Sequence, residues 1–145
     1  GCTTDVLDSG SVISPVKVYN DANITVMLLD NHITAMTGGQ EAPTTLPGTR
    51  TATTPYGADS HFVKGPDLVR HLNPGAWIGR GITTRQLELR RLMTEALAFV
   101  KEGKGFAFLE VLSPCTLSWG TIDDPHATFD ILENRMAKAY RLGKF

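Results

Sequence analysis

Apolar positions along the chain fall into three short runs and two helical stripes. Ile24-Thr-Val-Met-Leu-Leu29, Ala76-Trp-Ile-Gly-Arg80 and Phe106 to Leu112 are bounded by turn residues and predict strands. The first is continuous enough to predict a strand buried on both faces. Between residues 84 and 102, Leu89, Leu92, Met93, Ala96, Leu97 and Val100 recur at three- and four-residue steps and predict one buried helical face. Arg90, Arg91, Thr94, Glu95 and Lys101 lie largely off that face, Thr83 or Thr84 is the expected cap, and Gly103 the expected stop. Pro66 to Leu72 reads as a short helix stopped by Asn73-Pro74-Gly75. A last helix over 125–141 starts at Asp123-Asp124-Pro125, with Phe129, Leu132, Met136, Ala139 and Tyr140 as its buried stripe. A further short strand over Val16–Tyr19 is expected at an edge or a strand start, because of Pro15.

The order strand, long loop, helix, strand, helix, strand, helix implies an α/β fold: a mostly parallel sheet with flanking crossover helices. The three runs should be parallel neighbours in one sheet. With 145 residues the chain is one domain. Hydrophobic residues at 41% and charged residues at 20% are those of an ordinary globular protein. A net charge of −1 points to neither nucleic acid nor an anionic membrane surface. No apolar run approaches the roughly 18 residues of a membrane-spanning helix. The N-terminal residues Gly-Cys-Thr-Thr-Asp show no signal-peptide pattern, and two cysteines, Cys2 and Cys115, suit a reducing, cytoplasmic compartment.

The chemistry concentrates after the first strand, in Leu29-Asp-Asn-His-Ile-Thr-Ala-Met-Thr-Gly-Gly-Gln40. Ligands of open α/β sheets sit outside the carboxyl ends of the strands. Asn31 offers a hard oxygen of the kind Mg²⁺ prefers, and Thr37, Gly38 and Gly39 offer a hydroxyl and backbone N–H groups for a phosphate. Taken alone, an Asn or a Gly-Gly pair reads as a turn rather than as a site. The loop continues to residue 62 with six threonines between 44 and 54. A loop that long in a compact domain is either functional or disordered; its place beside Asn31 favours function.

Three stretches together resemble a known family. Leu29–Gln40 resembles the second half of the thiamine-diphosphate signature in the β subunits of 2-oxoacid:ferredoxin oxidoreductases. Pro43-Thr-Thr-Leu-Pro-Gly-Thr-Arg-Thr-Ala-Thr-Thr-Pro-Tyr-Gly57 resembles the Thr-rich loop that follows it, and Phe108-Leu-Glu-Val-Leu-Ser-Pro-Cys115 their strand ending in a cluster-binding cysteine. The resemblance covers roughly residues 22 to 145. It implies part of a thiamine-diphosphate-binding fold, with Asn31 and the carbonyl of Ile33 as Mg²⁺ ligands, Thr37 and Gly38 near cofactor or substrate, and Cys115 as a ligand of a [4Fe–4S] cluster. It also implies oxidative decarboxylation of a 2-oxoacid with CoA and ferredoxin, in association with an α subunit. The Met-Thr-Gly-Gly-Gln and Thr-Thr-Pro-Tyr-Gly forms look closer to 2-oxoglutarate-type than to pyruvate-type members.

Relative to that family the single α/β domain is expected to be incomplete on its N-terminal side. The Gly-Asp-Gly that carries the acidic Mg²⁺ ligand and the Cys-x-x-Cys pair do not occur in the sequence; the nearest acidic residues upstream are Asp5 and Asp8. Two cysteines cannot supply four thiolates, so the 145 residues alone are expected to hold no full cluster; without the acidic Mg²⁺ ligand they are expected to bind the cofactor weakly or not at all. The alternative is a non-catalytic remnant of the fold, and a further one an α/β module for another phosphate ligand. His32, His61, His71 and His126 have no metal-ligand spacing. His32 would touch substrate or face solvent, and the others would lie at the surface. Among Arg50, Arg80, Arg90 and Arg91, Arg50 is the better candidate for a substrate carboxylate.

Overall fold

In a computed structural model, residues 22–59, 62–119 and 126–145 are described. The expected strand over 16–19, the start at Asp123-Asp124-Pro125, and Cys2, Asp5, Asp8 and His61 lie outside them. Strand β1 (Thr25–Asp30) leads through a long loop to α1 (Gly65–Leu72), β2 (Trp77–Ile82), α2 (Gln86–Lys101) and β3 (Ala107–Leu112). A third helix, α3, comprises Ala127–Asp130, a π-helical stretch Ile131–Met136 and Ala137–Ala139, and β4 is Gly143–Lys144. The sheet order is β1-β3-β2-β4. β3 pairs in parallel with both β1 and β2, and β4 is antiparallel to β2. The three apolar runs therefore form the predicted parallel sheet.

β2 and β3 are buried at every position, as central strands covered on both faces should be. On one face Trp77, Leu109 and Val111 pack with Leu92 and Ala96 of α2. On the other, Leu28, Ile78 and Phe108 meet Val69 of α1, and Ile82 and Leu112 meet Ile131, Leu132 and Met136 of α3. The glycines of Trp77-Ile-Gly-Arg-Gly-Ile82 serve the α2 face: a Cβ at Gly79 would lie 2.6 Å from the Trp77 ring, and one at Gly81 2.6 Å from Leu89.

Several sequence expectations are corrected. β1 is not buried on both faces; it is the edge among the described strands, and Leu29 is 53% exposed. Leu97 is equally exposed, because α2 turns Leu92 and Ala96, not Leu97, squarely to the sheet. Arg85, not Thr83 or Thr84, precedes the first turn of α2, with no side-chain cap. The Thr84 hydroxyl instead donates to Glu133 Oε1 of α3 at 2.5 Å. Gly103 does stop α2, at φ 70°, its N–H donating to Val100. In α3, Phe129 and Ala139 are exposed while Ile131, Leu132, Met136 and Tyr140 are buried. The π stretch explains the difference: i→i+5 bonding widens the turn, so the apolar face no longer follows a 3.6-residue period.

Candidate functional site

The carboxyl end of β1 turns on Asp30. Its Oδ1 accepts the His32 backbone N–H and the Thr44 hydroxyl, both at 2.8 Å. This Asx turn drives His32 to φ 57°, the left-handed region a non-glycine residue enters at a cost of about 1–3 kcal/mol. The His32 ring is fully buried, correcting the expectation of contact with substrate or solvent. Its Nδ1 lies 2.7 Å from the Thr44 carbonyl, an acceptor, so Nδ1 carries the proton. The Tyr140 hydroxyl lies 3.4 Å from both Nδ1 and that carbonyl. Thr45 donates from its hydroxyl to the His32 carbonyl and accepts the Ala42 N–H, each at 2.8 Å. The buried threonines thus fold the long loop back over the strand end, which is why it is ordered. Gly48 and Gly57 meet back to back there, both at positive φ, and a Cβ at Gly57 would lie 3.3 Å from Gly48 Cα.

Asn31 and Ile33 flank His32 on this fixed turn. Asn31 is half-buried, and its carbonyl accepts the Trp119 indole N–H at 3.1 Å. Ile33 is buried. Thr37 and Gly38 are exposed at the tip of a small closed turn, Thr34 bridging to Gln40. Thr37 Oγ1 donates to Gln40 Oε1 at 2.7 Å, and the N–H groups of Gly38 and Gly39 donate to Ala35 and Thr34. In this conformation those two N–H groups close the turn and do not offer a phosphate cradle. Gly39 is buried against Ser118, whose Oγ is 3.7 Å from Cys115 Sγ. The turn after β1 and the segment after β3, with Cys115, Ser118 and Trp119, therefore meet at the carboxyl ends of the strands.

Two residues of this turn could supply oxygens to a Mg²⁺–diphosphate group. Asn31 Oδ1 and the Ile33 carbonyl are neutral hard oxygens two residues apart, the type that ion takes. The adjacent carboxylate, Asp30, is occupied at Oδ1 by two hydrogen bonds, and its Oδ2 is buried without a partner 3.7 Å from His32 Nδ1. It orients the turn and is not presented as a ligand. Among the described residues no group of three His, Cys, Asp or Glu side chains could hold a metal ion.

Beside Trp119 a cavity of about 480 Å³ is lined by Gly48, Thr49, Arg50, Ser118, Trp119 and Arg135. Arg135 donates to Thr49 Oγ1 at 3.2 Å and stacks over Trp119 at 5.5 Å. Two guanidinium groups thus share one cavity whose Trp119 wall also bonds Asn31. Arg50 could be picked out from the sequence; Arg135 and Trp119 could not, because α3 and the segment after β3 bring them there from more than 80 positions away. Arg90 and Arg91 are solvated, as are His71 and His126.

Arg80 is not a surface candidate for a carboxylate. It is 2% exposed and ion-paired through Nε to Glu110, its direct cross-strand neighbour. Burial pushes the Glu110 carboxyl above its ordinary range, and Arg80 draws it back down. The only sequence sign of this pair was a single charge inside each of two apolar strands, which requires a partner.

Residues 11–111 match the family described as thiamine pyrophosphate enzyme, C-terminal TPP binding domain. The chain is 34% identical over 129 residues to the ketoisovalerate oxidoreductase subunit VorA of Methanothermobacter thermautotrophicus, covering 84% of this chain and 27% of that one. It is 31% identical over 124 residues to the 2-oxoglutarate synthase subunit KorB of Methanocaldococcus jannaschii, covering 84% of this chain and 43% of that one. The chain thus spans less than half the length of these relatives. A solved 2-oxoglutarate:ferredoxin oxidoreductase from Magnetococcus marinus, bound to 2-oxoglutarate, coenzyme A and succinyl-CoA, shares the fold with a TM-score of 0.65 at 24% identity, over 79% of this chain and 38% of that one. The parallel sheet, the Asn31 turn at its carboxyl edge and these homologues, all 2-oxoacid oxidoreductase subunits, lead to one assignment: the chain belongs to the thiamine pyrophosphate enzyme family, as a C-terminal TPP-binding domain.

Proposed function

We propose that this domain supplies the C-terminal part of the thiamine-diphosphate site of a 2-oxoacid:ferredoxin oxidoreductase, as its β subunit or a portion of it. The observation that carries the reading is the shared Trp119, which ties the Asn31 turn to the two-arginine cavity at the strand ends. In this reading Asn31 and the Ile33 carbonyl give two of the Mg²⁺ oxygens, and Thr37 and Gly38 lie along the cofactor. Cys115 is one thiolate of a [4Fe–4S] cluster completed by residues outside the described ones. Carbanion chemistry is the bound coenzyme's own; the protein binds, orients and sets the electrostatics. Arg50 and Arg135 receive a carboxylate of the 2-oxoacid, since guanidinium groups bind carboxylates bidentately. An α subunit, CoA and ferredoxin complete the reaction in a cytoplasmic assembly, and the 2-oxoacid is of the 2-oxoglutarate rather than the pyruvate type.

The test uses the assembled enzyme. Asn31→Ala should weaken thiamine diphosphate binding in calorimetric titration and lower turnover together, because metal and diphosphate bind as a unit. Arg50→Gln and Arg135→Gln should raise KM for 2-oxoglutarate at least about tenfold, one charge-assisted contact each, with coenzyme affinity unchanged. Unchanged coenzyme affinity in Asn31→Ala would sink the metal role and favour a non-catalytic remnant of the fold.

A further inference from the structure

A second cavity, of about 170 Å³, lies between α1, β2 and the segment after α3. Four cationic side chains line it: Lys64 before α1, Arg70 of α1, Arg80 of β2 and Arg141. Asp67 is the one side-chain carboxylate in its lining. We propose that this cavity binds a phosphate group, as free orthophosphate or as the phosphomonoester end of a larger ligand.

Three observations converge. First, the guanidinium groups of Arg70, Arg80 and Arg141 surround a single ring, that of Phe145, at 5.2, 5.4 and 5.1 Å from its centre. Like charges gathered so closely repel one another unless a counter-ion lies among them. Among the described residues Lys64, Arg70 and Arg141 form no ion pair with any carboxylate. Second, Arg80 is a built element of the wall and not a surface side chain. It is 2% exposed; Glu110 holds its Nε and the Arg141 carbonyl accepts from Nη1 at 3.3 Å. Its Nη2 is buried with no acceptor among the described residues and is closed off from the cavity. Third, positive charge is in excess. Four cations face two side-chain carboxylates, Asp67 on the wall and Glu110 behind Arg80, and the α-carboxylate of Phe145, the last residue of the sequence, brings the sum to +1. A phosphate carries about −1.5 to −2 at pH 7 and only acceptor oxygens.

The shape of the charge distribution selects phosphate over a carboxylate. The cations come from separate parts of the fold, before and in α1, in β2 and after α3, around one cavity, so a tetrahedral oxyanion can meet more of them than a planar fork does. At about 170 Å³ the cavity has room for a phosphate group.

The experiment is calorimetric titration of the full chain with orthophosphate and, separately, with glycerol phosphate, at low ionic strength. Saturable binding at one site per chain is expected. Lys64→Gln and Arg70→Gln change exposed residues; each should weaken phosphate binding roughly three- to tenfold, the loss of one charge-assisted contact, while the melting temperature without phosphate does not fall. Asp67→Asn should tighten it by a similar factor. Sulfate should displace phosphate and acetate should not. Binding of orthophosphate alone identifies the free ion as the ligand, and equal or tighter binding of glycerol phosphate identifies a monoester. Absence of saturable binding of both probes, affinities that Lys64→Gln and Arg70→Gln leave unaltered, or equal displacement by acetate would each overturn the proposal. None of these outcomes bears on the Asn31 site, so the two readings stand or fall separately.

Discussion

Replacing Arg80 by Met is the sharpest probe of what holds this sheet together. Met roughly keeps the buried length and removes the charge, leaving Glu110, 1% exposed, without its only ion partner among the described residues. Breaking one side of a buried pair costs about 3–5 kcal/mol, because the remaining charge stays desolvated. A domain of this size melts roughly 2–4 °C lower per kcal/mol, so Arg80→Met should melt about 6–20 °C lower. Replacing both partners with apolar residues, as in Arg80→Met with Glu110→Leu, should recover most of the loss, since no charge is then stranded. The pH dependence has a definite sign. Burial already raises the folded Glu110 carboxyl, and Arg80 is the largest force lowering it. In Arg80→Met the folded value rises further above the unfolded one. A raised carboxyl destabilises nothing below its unfolded range; the loss grows as pH rises through the folded one. Urea denaturation followed by circular dichroism at pH 4 and pH 7 should therefore show a smaller Arg80→Met deficit in acid. A deficit equal at both pH values, or a double variant as unstable as the sum of the singles, would refute the reasoning.

Two further outcomes test the packing and the surface electrostatics. Leu92→Ala should cost about 2–5 kcal/mol in denaturant unfolding, since Leu92 is fully buried beneath α2, whereas Leu97→Ala, on the exposed side, should stay within about 0.5 kcal/mol. Hydrogen bonds from Arg85 first, then Thr84, hold the Glu133 carboxyl below its ordinary range. Stability from this depressed carboxyl is present above its unfolded value and lost as pH falls through the folded one, so Glu133→Gln should flatten the acid limb of a melting-temperature profile between pH 5 and pH 3, a range set by the ordinary carboxylate values of about 4. An unchanged limb would show that the pair contributes nothing.

The sheet was legible because its strands are short apolar runs whose composition leaves little choice of environment, and β2 and β3 fill the centre as such runs should. What a linear pattern cannot carry is register. Arg80 and Glu110 each look like a lone charge in an apolar strand, and only the parallel pairing sets them side by side. The same holds for Tyr140, which belonged to a predicted helical stripe but whose hydroxyl reaches the ring of His32, 108 positions away. Helical faces were legible as far as the helix is regular: Leu92 and Ala96 are buried as predicted, but the π stretch shifts the face of α3, and no residue type announces it.

The Asn31 turn shows a different limit. Its residue types suggested ligands, and its position after β1 suggested a strand-end site, yet the residue that sets its geometry is the one the chemistry passed over. Asp30, beside Asn31, was not among the candidate ligands. In the fold it is buried, takes the His32 N–H and the Thr44 hydroxyl, and holds His32 in the left-handed conformation, so that Asn31 and Ile33 stand on either side of a fixed bend. A carboxylate committed to two neutral donors inside the protein has little reason to leave them for a hydrated cation, because exposing it would also release the strained His32. The Thr-rich loop, ambiguous by composition between order and disorder, is ordered for the same reason: Thr44 and Thr45 supply the hydroxyl and carbonyl partners that Asp30 and His32 need. Strand end, strained histidine and threonine loop form one mutually satisfied unit, and the two neutral oxygens proposed for Mg²⁺ stand on it.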